Sequence, residues 1–297
     1  MNLLRKIQYN QYWNIGFCEQ TPEELIHDKQ FKTIKWLKHP YRDRWFADPF
    51  IYKVTDSEIV VFVEECPVEN PQGIICELVI DRKSMRMKER HVMLELDTHL
   101  SYPAIIRLKG KVYAYPENGA SGKLNIYEYD ELNHKLTNPV CILNEAVADA
   151  SIMGIDGRYI MIATKYPKTQ ERAFLYEADS IFGPFTLVDN NPIQTAISCS
   201  RPGGNWIHVK DKLYRPAQNC VARYGAGISL MSVDLSEKKE EIFIGFEAQS
   251  WRYNEGLHTI NFHNNLCVID GYGYYWPILG RLYYSPFLRS ILGKKRH

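Results

Sequence analysis

Five short stretches carry the residues best able to do chemistry, and they share a local pattern: one polar side chain just before a run of strand-forming residues. In chain order these are Asp48, Tyr102, Asp149, Arg201 and His258, and Asp48, Tyr102 and Arg201 each precede a proline. The fullest version of the pattern is Arg44-Trp45-Phe46-Ala47-Asp48-Pro49-Phe50. A second set follows at the end of the next apolar run: Glu65, Glu117, Thr164, Gln218 and Asp270. It lies roughly 12–17 residues further on, so a hairpin would set the end of the second run beside the start of the first. Both sets then face one mouth. Several carboxylates with an arginine and a histidine can move protons and hold a polyol or an anion. The plainer alternative is that these groups only satisfy one another across a structural channel, as buried polar groups must.

The elements needed to position them can be read from the same chain. From Phe46 onward, short runs rich in Val, Ile, Tyr and Phe alternate with turn residues. The first unit contains Phe50–Tyr52, Glu58–Glu65, Gly73–Ile80 and His91–Leu94, and three further four-run units follow it. The units begin roughly every 50 residues, a period of propeller blades. The pattern predicts an all-β chain, a five-bladed β-propeller of four-stranded antiparallel blades around a central channel, over 46–272. A β-sandwich with irregular insertions would explain the strands but not the repeated chemistry. The fifth unit runs short of strands after Asp270, and the strand-like Tyr12–Phe17 in segment 1–45 is expected to complete it. Thr21-Pro22-Glu23-Glu24 in that segment predicts a short capped helix.

Bulk properties narrow the function. Lys+Arg total 36 against 35 Asp+Glu, a net charge of +1, which gives no electrostatic case for a nucleic-acid partner. Twenty tyrosines and six tryptophans suit a β-rich fold and a sugar site alike. Seven scattered cysteines, with no CxxC, predict reduced thiols and a cytoplasmic protein. The start Met1–Lys6 leads into no apolar run, so no secretory signal is expected, and no segment is apolar enough to span a membrane. No zinc spacing is present and His258 reads as a hydrogen-bonding pocket residue, so neither a metal nor a cofactor is expected. The tail 273–297 interleaves aromatics and leucines with Arg281, Arg289, Lys294, Lys295 and Arg296. That composition suits peripheral contact with an anionic membrane and, equally, packing on the propeller wall.

The motif Trp45–Phe50 resembles the first-blade motif of the propeller glycosidases of arabinanase and β-xylosidase type, and Ala178–Phe185 resembles their third-blade signature. A closer resemblance is to the propeller domain at the N-terminus of plant glucosamine inositolphosphorylceramide transferases and its stand-alone bacterial relatives. It is carried by Phe46–Phe50, Val63–Glu65, His99–Pro103, Tyr115–Glu117, Ala148–Ile152, Ser200–Gly204, Tyr214–Gln218, Tyr224-Gly225 and Gly256–Thr259, within 40–272. By resemblance to the glycosidases, Asp48 is the general base and Asp149 tunes the acid. Where their fourth-blade acid is expected this chain has Arg201, which cannot yield a proton near neutral pH. Either Glu117 or Glu65 supplies the acid, or the reaction is not that hydrolysis. Arg201 also matches a sugar bearing phosphate or carboxylate, which suits transfer from a glycosyl-phosphate donor, although the sequence has no Gly-rich phosphate loop and no DxD motif.

The expectation is therefore a carbohydrate-active protein acting at a glycosidic or glycosyl-phosphate bond, in surface polysaccharide or glycolipid biosynthesis. Asp48, Asp149 and Glu117 are its catalytic candidates, and Glu65, Tyr102, Arg201, Gln218 and His258 its substrate-binding candidates. The alternative is a glycan-binding module without catalysis.

Overall fold

A computed structural model describes residues 11–248 and 250–285. Its strands form five four-stranded antiparallel sheets, the blades of a five-bladed β-propeller. Blade one comprises β3 (Arg44–Val54), β4 (Glu58–Pro67), β5 (Ile74–Asp81) and β6 (Met87–Leu94). Blade two comprises β7 (Ser101–Leu108), β8 (Lys111–Glu117), β9 (Leu124–Asp130) and β10 (Lys135–Leu143). Blade three comprises β11 (Val147–Ile155), β12 (Arg158–Lys165), β13 (Ala173–Ala178) and β14 (Thr186–Leu187). Blade four comprises β15 (Ile207–Val209), β16 (Lys212–Asn219), β17 (Gly227–Asp234) and β18 (Lys239–Glu247).

Blade five is built from both ends of the described chain. Its order is β19 (Ile260–His263), β20 (Leu266–Tyr274), β1 (Gln11–Glu19) and β2 (Lys35–Trp36). β1 pairs with β20 along its whole length, from Gln11 opposite Tyr274 to Glu19 opposite Leu266. The alternation of β1 explains its place, because Ile15 and Phe17 are buried in the cluster that joins blade five to blade one. Between β1 and β2 lies helix α1 (Pro22–Asp28). Thr21 caps it through a reciprocal bond pair, with Glu24 N–H donating to Thr21 Oγ1 at 3.2 Å and Thr21 N–H donating to Glu24 Oε2 at 3.0 Å. The tail continues β20 to Tyr274 and then forms helix α2 (Pro277–Tyr284). The basic residues Arg289, Lys294, Lys295 and Arg296, like the start Met1–Lys6, lie outside the described residues.

Two local features show how the strands turn and how the blades meet. The turn Lys109-Gly110 joins β7 to β8 with both residues in the left-handed region, at φ 50° and 80°, so its twist matches the strands it connects. Blade four begins with an irregular stretch in which Gly204, at φ 149°, lies so close to blade five that a Cβ would meet Ile260 O at 2.0 Å. Closure should depend on β1. Ile15→Ala removes a fully buried side chain from the seam and is expected to cost about 2–5 kcal/mol. Leu132→Ala, on an exposed turn, should stay within about 0.5 kcal/mol. Urea unfolding of the two variants measures the contrast, and equal losses would refute a closing role for β1.

Candidate functional site

The first strands of blades one to three break their ladder at one shared place. The register jumps between Ala47 and Phe50, between Ser101 and Ala104, and between Ala148 and Ser151. Each bulge contains the ring residue, and each ring residue is left-handed: Asp48 at φ 50°, Tyr102 at 45° and Asp149 at 48°. A bulge adds a residue without a cross-strand partner and re-aims its side chain. Holding a non-glycine residue there costs about 1–3 kcal/mol, a strain concentrated at functional positions.

The residue before each bulge pairs with the end of the second strand: Ala47 with Glu64, Ser101 with Glu117, and Ala148 with Thr164. The member of the second ring from blade one is therefore Glu64, and the expected Glu65 is displaced from it by one residue. Side chains alternate across a strand, so that single step sends Glu65 to the opposite face. There Glu65 is buried between Arg44, at 2.7 Å, and Arg90, with Cys76 Sγ at 3.3 Å. Glu64 instead feels Asp48 and His258, and His99 Nε2 lies 3.3 Å from its Oε1.

At the seam of blades five and one, Asp48 and Asp270 enclose His258. Asp270 Oδ2 lies 2.5 Å from His258 Nδ1 and accepts the Asp48 amide at 3.2 Å. Its other oxygen accepts the amides of His258 and Thr259 at 2.9 and 3.1 Å. Asp48 Oδ1 accepts the Thr259 hydroxyl at 2.5 Å and lies 3.7 Å from His258 Nδ1, and Oδ2 accepts the Tyr102 amide at 3.1 Å. Trp13 stacks on His258 with ring centres 4.0 Å apart, and Tyr224 meets it edge-on at 5.4 Å. Asp48, His258 and Asp270 lie close enough together to ligate one metal ion. Their internal ion pair and hydrogen bonds already satisfy them without one.

Across the mouth, Arg201 gathers the acids of blades two and three. Its Nε and an Nη contact Asp149 at 2.6 and 3.2 Å, the same Nη reaches Glu117 at 3.3 Å, and the other donates to Thr169 Oγ1 at 2.9 Å. Gln218 donates to Asp149 and, at 3.0 Å, to Pro202 O. Glu117 also accepts the Asp149 amide at 3.2 Å and the Tyr166 hydroxyl. Tyr102 reaches across the channel, where its phenol oxygen accepts the Gly204 amide at 2.7 Å. It is 1% exposed and plugs the channel beneath the carboxylates. Tyr166 and Tyr224 remain 44% and 43% exposed at the rim.

The structure thus brings Asp48, Glu117, Asp149, Arg201, Gln218 and His258 to one mouth, with Tyr102 below and Glu65 outside. Glu64, Thr259, Tyr166, Thr169, Tyr224 and Trp13 belong to the mouth although the sequence analysis did not select them for it. Glu64 had a usable signal in the strand alternation, and Tyr224 and Thr259 lay within the motifs Tyr224-Gly225 and Gly256–Thr259.

Burial dominates the acidities. It pushes Asp48 up to about 6 against the pull of His258, and Glu64 up to about 7 against a hydrogen bond from His99. Asp149 rises to about 7 through burial despite Arg201, with Glu117 adding to the rise. Burial alone would lower His258, but Asp270 and Asp48 outweigh it and raise the imidazole to about 9. Each folded pKa lies above its ordinary value, so folding takes up protons and stability falls as pH rises. The His258 contribution is complete below 6.5 and is lost as pH passes about 9. The cost of ionising buried Asp48 and Glu64 is absent at acid pH and complete above about 7. The urea midpoint is therefore expected to fall between about pH 5 and pH 9, and Asp270→Asn should flatten the alkaline part of that fall. A midpoint that climbs with pH would overturn this assignment.

Removing Arg201 leaves Asp149 and Glu117 buried without a cation. Arg201→Gln should cost about 3–5 kcal/mol near neutral pH. The loss should shrink in acid, where the orphaned carboxyls protonate. Denaturant titrations at two pH values test both parts, and a loss that is the same at both would show that charge is not the cause.

The fold has solved counterparts. One is Zg3597, a family 117 glycoside hydrolase produced by the marine bacterium Zobellia galactanivorans, with a TM-score of 0.58 and 12% identity, covering 87% of this chain and 90% of that one. Another is a thermostable family-43 glycoside hydrolase, with a TM-score of 0.55 and 12% identity, covering 73% and 83%. At such identities the likeness is one of fold alone. In sequence, the chain is 26% identical over 207 residues to glucosamine inositolphosphorylceramide transferase 1 of Oryza sativa subsp. indica, covering 67% of this chain and 28% of that protein. With its counterpart in Arabidopsis thaliana it shares 25% over 216 residues, 70% of this chain and 28% of that protein. The alignments thus take in under a third of the plant proteins' length, 28% in each case. The family profile described as "Glucosamine inositolphosphorylceramide transferase 1, N-terminal" matches residues 34–260. That span contains the five ring residues and every bulge that aims them, and the chain belongs to this family.

Proposed function

We propose that this chain is a carbohydrate-active enzyme acting at a glycosidic or glycosyl-phosphate bond, in the assembly of a surface polysaccharide or glycolipid. One observation carries the reading. Asp48 and Glu64, on paired strands of blade one, are buried carboxyls brought to about 6 and about 7 with no guanidinium on them, whereas Asp149, also raised to about 7, is clamped by Arg201. A base and an acid poised near neutral pH are what transfer at an acetal centre needs. Asp48 is the base, oriented by Thr259 and the Tyr102 amide. Glu64 takes the part of the acid, which relieves Glu117, whose oxygens are already held by Arg201, Tyr166 and the Asp149 amide. Tyr166 and Tyr224 offer aromatic faces to the C–H side of a sugar ring.

The relatives' name, a transferase, and the hydrolases of like fold support the same class of chemistry. Arg201 bears on the sugar. Its two-point edge is engaged by Asp149, so a phosphate or carboxylate on the sugar would have to compete with that carboxylate for the guanidinium. All seven cysteines are unpaired, in keeping with a reducing, cytoplasmic setting. The second reading, a glycan-binding module without turnover, draws on the internal hydrogen bonding of Asp149 and Asp270.

Turnover of sugar nucleotides, sugar phosphates and oligosaccharides, followed by mass spectrometry, separates the two. Asp48→Asn and Glu64→Gln should each lower kcat by about 10²–10⁴-fold while ligand affinity stays within about tenfold. Glu64→Gln should also abolish the alkaline limb of the pH profile. Sugar binding without turnover in the wild type would establish the binding module instead.

A further inference from the structure

A second recess, of about 380 Å³, lies where β1 meets the entry to blade one. Successive β1 side chains face opposite sides of the sheet. Trp13 turns to His258, whereas Tyr12 and Asn14 line the recess. Its walls carry Lys38, Arg42, Arg44 and Arg252, and no carboxylate is among the described residues lining it. Arg44 is engaged by Asp43 and Glu65, and Lys38 donates to Ser84 O at 2.9 Å. Arg42 and Arg252 make no ion pair among the described residues and lie 5.7 and 5.9 Å from the centre of the Tyr275 ring. Stacking on a ring leaves the N–H edges of a guanidinium available to an oxyanion.

The floor has an unmet need. Asn14 is 1% exposed, and its amide nitrogen donates to Leu37 O at 3.0 Å and to the Tyr253 hydroxyl at 2.8 Å. That orientation leaves its Oδ1 without a partner, and Nδ1 of His39 also has none. Burial and Arg252 push His39 down to about 4, so it adds no charge near neutral pH. Guanidiniums without a carboxylate partner, Arg252 also meeting the Tyr12 hydroxyl, beside buried acceptors complement a phosphate ester that carries hydroxyls.

The rim indicates where such an ester sits. Arg281 of α2 donates to Trp251 O at 2.5 Å and to Asn254 Oδ1 at 2.9 Å, which docks the helix beside the recess. Ile278 and Leu282, four residues apart on one face, are 67% and 54% exposed, and Trp251 is 67% exposed. Exposed Trp, Ile and Leu bordering a cationic recess match a bilayer interface, with apolar side chains below the headgroups and arginines at the phosphates. We propose that this recess seats the phosphate of a membrane phospholipid headgroup while the outer face of α2 lies against the acyl boundary. The site is separate from the channel mouth and does not depend on the reaction there.

The test is sedimentation of the full chain with phosphatidylcholine vesicles, plain or doped with phosphatidic acid, beside calorimetry with soluble sn-glycerol 3-phosphate. Binding to the doped vesicles is expected. It should weaken by about tenfold or more in Arg42→Gln and Arg252→Gln. It should also weaken in the double variant Ile278→Ser, Leu282→Ser, whereas Lys212→Gln, an exposed cation removed from the recess, should leave it unchanged. These side chains are all exposed, and matching thermal midpoints confirm folding. Wild-type behaviour in the arginine variants would overturn the proposal, as would an equal loss in Lys212→Gln, which would mean bulk charge. Capture of glycerol 3-phosphate without vesicle binding would overturn the membrane assignment in favour of a soluble ester.

Discussion

Two buried cations hold the mouth of the channel together. Arg201 ties Asp149 of blade three to Glu117 of blade two, and His258 ties Asp270 of its own blade to Asp48 of blade one. Without them, carboxyls from four blades would face one another in a space that water barely enters, a cost no ring of hydrogen bonds offsets. The His258 group also lies at the seam where the two ends of the propeller meet. There Thr259 donates to Asp48, and Asn261 donates to Pro49 O at 2.9 Å. Ring closure is therefore achieved twice, by the β1 ladder across the blade and by this polar seam along the channel.

The bulges link that electrostatic arrangement to the backbone. An unbroken antiparallel ladder would leave Asp48 and Asp149 paired within their sheets. The extra residue in each of blades one to three removes the pairing and fixes a left-handed backbone whose amide becomes a donor: Asp48 N–H to Asp270, Tyr102 N–H to Asp48, Asp149 N–H to Glu117. Backbone strain at one ring position is thus compensated by a carboxylate from another, so the strained backbone and the buried charges support each other. The same links clamp Glu117 and Asp149 to Arg201 and Asp270 to His258, and that is why proton transfer is assigned to Asp48 and Glu64.

β1 separates two environments of opposite character. On one side Trp13 covers His258 above a ring of acids. On the other, Tyr12 and Asn14 line a recess walled by cations. Charges of opposite sign are kept apart by the thickness of one sheet, and Arg44 on the recess side is paired with buried Glu65, which faces away from the mouth. A carbohydrate at the mouth and a lipid phosphate at the recess would lie on neighbouring parts of one molecule.

Much of the fold was legible in the sequence because blade architecture is periodic. Strand alternation, turn residues and one polar residue per repeat recur locally, and they identified five blades and the ring of Asp48, Tyr102, Asp149, Arg201 and His258. The α1 cap was legible for the same reason, since Thr21 and Glu24 act within one turn. Tertiary structure decided whatever depended on register or on distant segments. Glu64 rather than Glu65 reaches the mouth because the bulge at Asp48 sets which residue of β4 lies opposite Ala47, and one step reverses the face. Tyr102 proved to be a buried plug because its phenol meets Gly204 two blades away. The partners of His258 and the walls of the cationic recess come from opposite ends of the chain, Trp13 and Asn14 from β1, Arg252 and Tyr275 from beyond blade four. No local pattern records such neighbours, because they meet only when the ring closes.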